Sequence, residues 1–287
     1  MGVHAVTGSA SGMGKAAADK LRSAGHTVIG VDIEEADVTA DLATPEGRRA
    51  AANGVLQAAG GRLHGAVLAA GLAPAPGSGP RIAQVNYLGV VELLEAWRPA
   101  LAAADKAKVV AFSSNATTTT PLVPRRTITA FLDGDPEKAM RSVKHFGRAA
   151  PLMIYAASKL AVSRWVRRHS VLPEWAGAGI RLNALAPGAI RTPMIERLLS
   201  SPAESKAVES FPVPIGGYGD TSQLGDWVVF MLSDAADFLV GSVVFVDGGS
   251  DAYFRPDSWP RPGRLRELAG YLRKLKPSDA RKPRAAP

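Results

Sequence analysis

Tyr155 and Lys159 stand four residues apart in Tyr155-Ala156-Ala157-Ser158-Lys159, a stretch that reads as the first turns of a helix. Four residues slightly exceed one helical turn, so the phenol and the ammonium share a face. A neighbouring cation favours the phenolate, which otherwise forms only near pH 10. A tyrosine paired in this way exchanges a proton with a substrate oxygen close to neutrality. The spacing alone is common in helices. Its weight comes from what the rest of the chain builds opposite it.

A short apolar run, residues 3–6, ends in Thr7-Gly8-Ser9-Ala10-Ser11-Gly12-Met13-Gly14, and a helical pattern through Ala17, Leu21 and Ala24 follows. Strand, glycine loop and helix in that order aim free N–H groups and a positive helix end at a pyrophosphate. The spacing is G-x-x-x-G-x-G, where the commoner fingerprint is G-x-G-x-x-G. An ordinary glycine-rich turn is the plainer reading, and the flanks argue against it. The second strand, Thr27 to Val31, ends at Asp32, where a carboxylate accepts hydrogen bonds from an adenosine ribose. A 2′-phosphate would meet that negative charge, and residues 9–14 and 33–36 hold no lysine or arginine to welcome it. NAD is therefore expected over NADP.

The remaining elements outline a crevice. A third strand is expected within Ala36–Thr39, just before Asp41-Leu42, and a helix from Pro45 to Ala59 with Thr44 as N-cap. Gly65–Ala69 reads as the fourth strand and breaks at Ala70-Gly71. Lys108–Phe112 reads as the fifth, apolar and buried on both faces, closing at Ser113-Ser114-Asn115. A serine just past the carboxyl end of a sheet strand lies where the crevice of such a fold opens. With no histidine close in sequence, Ser114 reads as a hydrogen-bonding group and not as a nucleophile. A long helix from Arg81 carries Asn86, which either faces solvent or serves a polar network. Ile180–Leu185 is the sixth strand and runs into Pro187-Gly188-Ala189-Ile190-Arg191-Thr192-Pro193. Asp220 caps a helix through Leu232, and Leu239–Val246 is the final strand. Residues 116–150, with one polar helical stretch at Pro136–Phe146, are too long for a plain connection and predict an insertion. Short helices over 194–215 predict a lid spanning about 190–215.

Composition excludes several classes. The chain has 287 residues and no cysteine, which rules out disulfides, thiolate catalysis and cysteine-ligated metals and suits a reducing cytoplasm. Five histidines occur, none at metal-ligand spacing, so no metal is expected and most read as surface or satisfied core groups. Residues 1–6 are too short and too weakly apolar for a secretion signal, and no apolar run reaches membrane-helix length. A soluble, cytoplasmic protein is expected. The net charge of +8 belongs to the tail: residues 1–254 carry 24 Lys+Arg against 23 Asp+Glu, and 255–287 carry 10 against 3. Aromatic residues are sparse there, so nucleic-acid or membrane contact by the tail is not expected.

Read jointly, these residues resemble the short-chain dehydrogenase/reductases over roughly residues 2–254. The matching pieces, in order, are the Thr7…Gly14 loop, Asp32, Asp41-Leu42, Ala70-Gly71, Asn86, Ser114, Tyr155-x-x-x-Lys159, Pro187-Gly188 and Thr192. Gly25-His26, Val31-Asp32-Ile33, Ala40-Asp41-Leu42, Val85-Asn86-Tyr87, Arg181-Leu182-Asn183 and the insertion are similar to the family's bacterial 3α-hydroxysteroid dehydrogenase/carbonyl reductase branch. The resemblance implies a single α/β domain (1–254), a doubly wound Rossmann fold whose seven-stranded parallel sheet is flanked by helices, with a basic extension at 255–287.

It further implies a role for each matched residue. Tyr155 is the acid for carbonyl reduction and the base for alcohol oxidation, and Lys159 holds the cofactor ribose and lowers the tyrosine pKa. Ser114 orients the substrate oxygen, and Asn86 sustains a water relay. NAD is expected on Gly8, Ser11, Gly12, Met13, Gly14, Asp32, Asp41, Leu42, Ala70, Gly71, Pro187, Gly188, Ile190 and Thr192, besides Tyr155 and Lys159. An apolar secondary alcohol or ketone, cyclic or steroidal, is expected against Ser114, Tyr155, Met194, Ile195 and Leu198. Ala69 departs from the family's Asn-Ala-Gly and removes a side-chain hydrogen bond from the central strand. The insertion sits beside the helix that typical members use to form tetramers, so a homodimer is expected. A carbonyl reductase of other substrates, and a non-catalytic NAD-binding regulator, are the alternatives.

Overall fold

The computed structural model describes residues 1–193, 195–196, 210–258, 267, 269–270 and 272. Seven parallel strands form its centre: β1 (Val3–Thr7), β2 (Thr27–Asp32), β3 (Val38–Thr39), β4 (Gly65–Leu68), β5 (Lys108–Phe112), β6 (Arg181–Pro187) and, last in the chain, Val243–Val246. The strand order is β3-β2-β1-β4-β5-β6 followed by Val243–Val246, as a doubly wound fold requires. Strands β4 and β5 are buried along their whole length because helices cover both faces.

On one face lie α1 (Gly12–Ser23) and a helix at Thr221–Leu232, packed over Val6, Val67, Val110 and Leu185. On the other lie α2 (Pro45–Ala58), the helical run from Gly79 to Ala103, and a 20-residue helix, Ala150–His169. Their apolar stripes cover Ala5, Ala66, Leu68, Val109 and Ala111. Neighbouring residues of one strand thus serve opposite cores, the period of two that a strand imposes.

Caps fall where residue chemistry places them. The Thr44 hydroxyl accepts the Gly47 N–H at 2.9 Å ahead of Pro45, and Asp220 and Gln223 make a reciprocal capping box. The outlying strands are shorter than their apolar runs: β3 holds only Val38–Thr39 and the last strand only Val243–Val246, because pairing partners run out at the sheet edges.

Two regions differ from the pattern. The helix expected from Arg81 is three pieces: α3 (Gly79–Ala83), one π-helical turn at Gln84–Leu88, and α4 (Gly89–Ala103). The segment 116–150 is almost wholly helical, with α5 (Ala116–Thr119), α6 (Arg125–Leu132), α7 (Pro136–Val143) and a 3-10 turn at Lys144–Ala149 leading into α8 (Ala150–His169). Helix α6 escaped the periodicity because its buried face is only Thr127, Ile128, Ala130 and Phe131. A short pair, β7 (Ile190–Arg191) with β8 (Gly219–Asp220), precedes α9 (Thr221–Leu232), β9 (Val243–Val246) and α10 (Ser250–Phe254). Met194 and Leu198 of the expected lid, and most of the basic extension, lie outside the described residues. Among the described residues no helix is long and apolar enough to cross a membrane.

Candidate active site

The sheet order reverses between β1 and β4, and the crevice opens beyond the carboxyl ends of these strands. Register aligns Thr7 with Leu68, Leu68 with Ala111 and Ala111 with Ala184. The segments that follow, Gly8–Gly14, Ala70–Gly71 and Ser113–Asn115, therefore leave the sheet side by side. Helix α8 begins at Ala150, so Tyr155 lies in its second turn. The Lys159 ammonium is 5% exposed and donates to the Phe112 carbonyl, the last of β5, at 2.8 Å. The Ser114 hydroxyl accepts the Ala116 N–H at 3.1 Å and stands close enough to the Tyr155 phenol to favour its ionised form.

Asn86 resolves its two readings inward. It is fully buried, donates to the Leu72 carbonyl at 3.0 Å and accepts the Leu72 N–H at 2.8 Å. The π-helical turn explains the position: the extra residue rotates Asn86 out of the α-helical register, a local device frequent at functional sites. A Cβ placed on Gly71 would stand 3.5 Å from both Asn86 Oδ1 and Lys159 Nζ. The amide, the ammonium and a backbone without a side chain thus converge on one gap.

The electrostatics differ from the simple tyrosine–lysine pair. Burial pushes the Tyr155 phenol above its ordinary range, and the Ser114 hydroxyl opposes this. Burial lowers the Lys159 ammonium to about 8. The expected lowering of the tyrosine by Lys159 is not what this geometry gives, because the ammonium is directed at the Phe112 carbonyl and desolvation dominates both groups.

On the opposite side of the crevice, Gly8 and Gly12 adopt positive φ of 72° and 54°, and the Gly8 N–H closes onto the Val31 carbonyl at 2.8 Å. A Cβ on Gly14 would overlap the Gly8 carbonyl oxygen, so only glycine lets α1 start this close to the loop. Ser11 is the N-cap position of α1, and Met13 packs at the edge of the core beneath it. The Asp32 carboxylate ends β2, accepting from Ala10 N at 2.9 Å and Ile33 N at 2.7 Å. Asp41 accepts from Ala43 N at 2.9 Å, and buried Leu42 packs beside Gly89. The Ala70 N–H donates to the Thr7 hydroxyl at 3.1 Å, so β1 steadies the segment that Ala69 leaves without its own side-chain bond.

Pro187 ends β6, Gly188 runs against the backbone of Asp247, and Ile190 is buried beyond it. Thr192 reaches the Gly12 side of the loop, and its hydroxyl accepts the Ile195 N–H at 3.3 Å. These residues fit a dinucleotide: a glycine turn at a helix N-terminus, a carboxylate one strand away, and the side-chain-free gap at Gly71 lined by Asn86 and Lys159.

Other polar groups carried no signal in the sequence. Arg48, inside α2, is 4% exposed and bonds Glu92, Gln84 and the Leu42 carbonyl. Ser113 bonds the Lys159 carbonyl and, at 2.7 Å, Ser163, which fixes α8 to β5. His4 is not a satisfied core histidine: its Nε2 meets His26 Nδ1 at 3.1 Å, its Nδ1 has no partner among the described residues, and burial lowers it to about 3. Among the described residues no group of three His, Cys, Asp or Glu is arranged to hold a metal.

Fold and site together define a dehydrogenase/reductase, and the chain belongs to the short-chain dehydrogenase/reductase family. It is 35% identical over 256 residues to the 3α-hydroxysteroid dehydrogenase/carbonyl reductase of Comamonas testosteroni, covering 89% of this chain and 99% of that one. The crystal structure of the 3α-hydroxysteroid dehydrogenase from Pseudomonas sp. B-0831 complexed with NADH superposes with a TM-score of 0.83 at 40% identity, over 89% of this chain and 99% of that one. The crystal structure of levodione reductase superposes with a TM-score of 0.68 at 25% identity, covering 87% and 97%. A protein-family model described as enoyl-(acyl carrier protein) reductase matches residues 139–251.

Proposed function

We propose that the protein is an NAD-dependent oxidoreductase of apolar secondary alcohols and ketones, with 3α-hydroxysteroids as the leading substrate class. The observation that carries this reading is the Lys159 ammonium and the Asn86 amide meeting at the side-chain-free Gly71, beyond the carboxyl ends of the central strands. NAD, when bound, accepts or returns the hydride at the carbinol carbon. Tyr155 takes the hydroxyl proton in oxidation and gives it back in reduction, with Ser114 donating to the oxygen where negative charge develops. Lys159 and Asn86 hold the inner end of a proton path. Gly8, Ser11, Gly12 and Met13 present N–H groups to the pyrophosphate, Asp32 accepts from the adenosine ribose, and Asp41, Leu42, Ala70, Gly71, Pro187, Gly188, Ile190 and Thr192 line the remaining length.

Two observations support NAD. Asp32 and exposed Glu34 would repel a 2′-phosphate, and the similar enzyme from Pseudomonas was crystallised with NADH. The steroid class is supported by the similarity to the 3α-hydroxysteroid dehydrogenase/carbonyl reductase of Comamonas testosteroni and the 3α-hydroxysteroid dehydrogenase of Pseudomonas sp. B-0831. One of these names also covers carbonyl reductase activity, which keeps non-steroid ketones as the second reading. Substrate contact is proposed for Ser114, Tyr155 and Ile195, with Met194 and Leu198 completing a lid over about 190–215 and 1–254 forming the catalytic domain.

The same reading makes the protein a cytoplasmic homodimer. Helices α6 and α7 pack against α8, whereas Trp227 and Phe230 of α9 and Phe238 stand exposed. Assaying purified protein with hydroxysteroids and cyclic alcohols and both cofactors tests the proposal. Reduction of NAD over NADP is expected, with turnover lost in Tyr155→Phe and cofactor affinity nearly unchanged. A preference for NADP, or turnover retained in Tyr155→Phe, overturns it.

A further inference from the structure

Arg48 is a charged residue inside a helix whose side chain does not reach water. Its guanidinium grips Glu92 of α4 with Nε at 2.6 Å and Nη2 at 3.3 Å. Its Nη1 donates twice more, to the Leu42 carbonyl at 3.1 Å and to Gln84 Oε1 at 3.0 Å. Burying a guanidinium is costly unless its donors are met, and here the planar fork is matched on several sides.

The partners give the arrangement its meaning. Leu42 follows Asp41 on the segment between β3 and α2, at the adenine end of the crevice. Gln84 opens the π-helical turn that holds Asn86 against Leu72, next to the gap shared with Lys159. Leu42 also packs on Gly89, the first residue after that turn. One side chain therefore ties the adenine end of the crevice to the turn that orients its proton-handling end. A surface arginine holding only Glu92 would need neither Gln84 nor the Leu42 carbonyl.

We propose that Arg48 is a positioning residue that couples the adenine-side segment Asp41–Leu42 to the π-helical turn carrying Asn86. The inference rests on the NAD-dependent reading above. It predicts that the two ends can be separated by substitution. Gln84→Met removes the strut to the turn while Arg48 keeps its bonds to Leu42 and Glu92. Arg48→Lys removes the fork and both ends lose their tie.

The test compares parent, Gln84→Met and Arg48→Lys by calorimetric titration with ADP, which spans the adenosine and the pyrophosphate without the ribose assigned to Lys159, and by kcat and its pH profile at saturating NAD. In Gln84→Met, ADP affinity is expected within twofold of the parent, with kcat lowered by roughly tenfold and its pH profile displaced, since small misplacements at a reacting centre are amplified. In Arg48→Lys, both ADP affinity and kcat are expected to fall by roughly tenfold. Adding Asn86→Ala to Gln84→Met should lower kcat little beyond Asn86→Ala alone, because both act through the same turn.

Variants that lose only thermal stability, with ADP affinity, kcat and pH profile within twofold of the parent, overturn the coupling and leave Arg48 a packing residue. Should Arg48→Lys not fold, Gln84→Met decides alone through the kcat and pH arms. A parent that binds ADP yet shows these null results in its variants sinks the inference only. A parent that does not bind ADP sinks the cofactor reading, and the inference with it.

Discussion

Lys159 illustrates how a residue proposed for catalysis works against the fold that holds it. Its ammonium is buried and, among the described residues, donates to the Phe112 carbonyl, and its pKa falls from 10.5 to about 8. Between those values the unfolded chain keeps a proton that the folded protein has released, so unfolding free energy rises with pH across that window. At neutral pH the folded protein carries the full penalty, roughly 3 kcal/mol by the usual conversion. Lys159→Met keeps the length of the side chain without the charge, but orphans the Phe112 carbonyl at about 1–3 kcal/mol. Urea unfolding at pH 7.5 should therefore show a variant about as stable as the parent or more so, without turnover. By pH 10 the parent should have gained on the variant, by up to roughly 3 kcal/mol. A stability difference that does not change with pH would remove burial as the cause of the shift. Tyr155, whose pKa is raised by burial, titrates in both proteins and largely cancels.

Helix α1 and the π-helical turn show the same economy at the level of elements. The start of α1 touches the loop from β1 so closely that Gly14 has no room for a Cβ against the Gly8 carbonyl. At Gly12 there is room, with the nearest side chain 3.7 Å away, and only the positive φ of 54° disfavours substitution. Gly14→Ala is thus expected to weaken ADP-ribose binding more than Gly12→Ala, at a cost of about 1–3 kcal/mol for the forced backbone shift. Calorimetric titration of the two variants checks the order, and the reverse order would mean that loop conformation outweighs the helix contact. The caps at Thr44 and Asp220 were legible because residue type dictates them locally. The π-helical turn was not: no residue in Gln84–Leu88 is peculiar to it, and its extra residue is held by Asn86 and Arg48, both bonded to segments distant in sequence. Helix α6 was missed for a related reason, since its four buried residues make an apolar face only once α8 is beside it.

At the scale of the whole molecule, the proposed dimer needs an apolar face. α9 turns Trp227 and Phe230 outwards, 39% and 45% exposed, with Phe238 fully exposed beyond it, and among the described residues β9 is the last strand of its sheet. Light scattering on the purified parent should give a dimer, and Trp227→Lys with Phe230→Lys should give a monomer that retains the fold by circular dichroism. A parent that is monomeric, or a double variant that still dimerises, would place the contact elsewhere. Amino-acid order alone determined the alternation of strands and helices, the glycine loop after β1 and the helix caps, while the parallel seven-stranded sheet was expected from the family resemblance. The former depend on neighbours within a turn or on a period that repeats along one segment. Only the tertiary structure decided that Asn86 points inward, that Lys159 faces the Phe112 carbonyl, and that Arg48 is buried. Those outcomes are set by desolvation and by hydrogen bonds between segments tens of residues apart, and neither leaves a periodic mark in the chain.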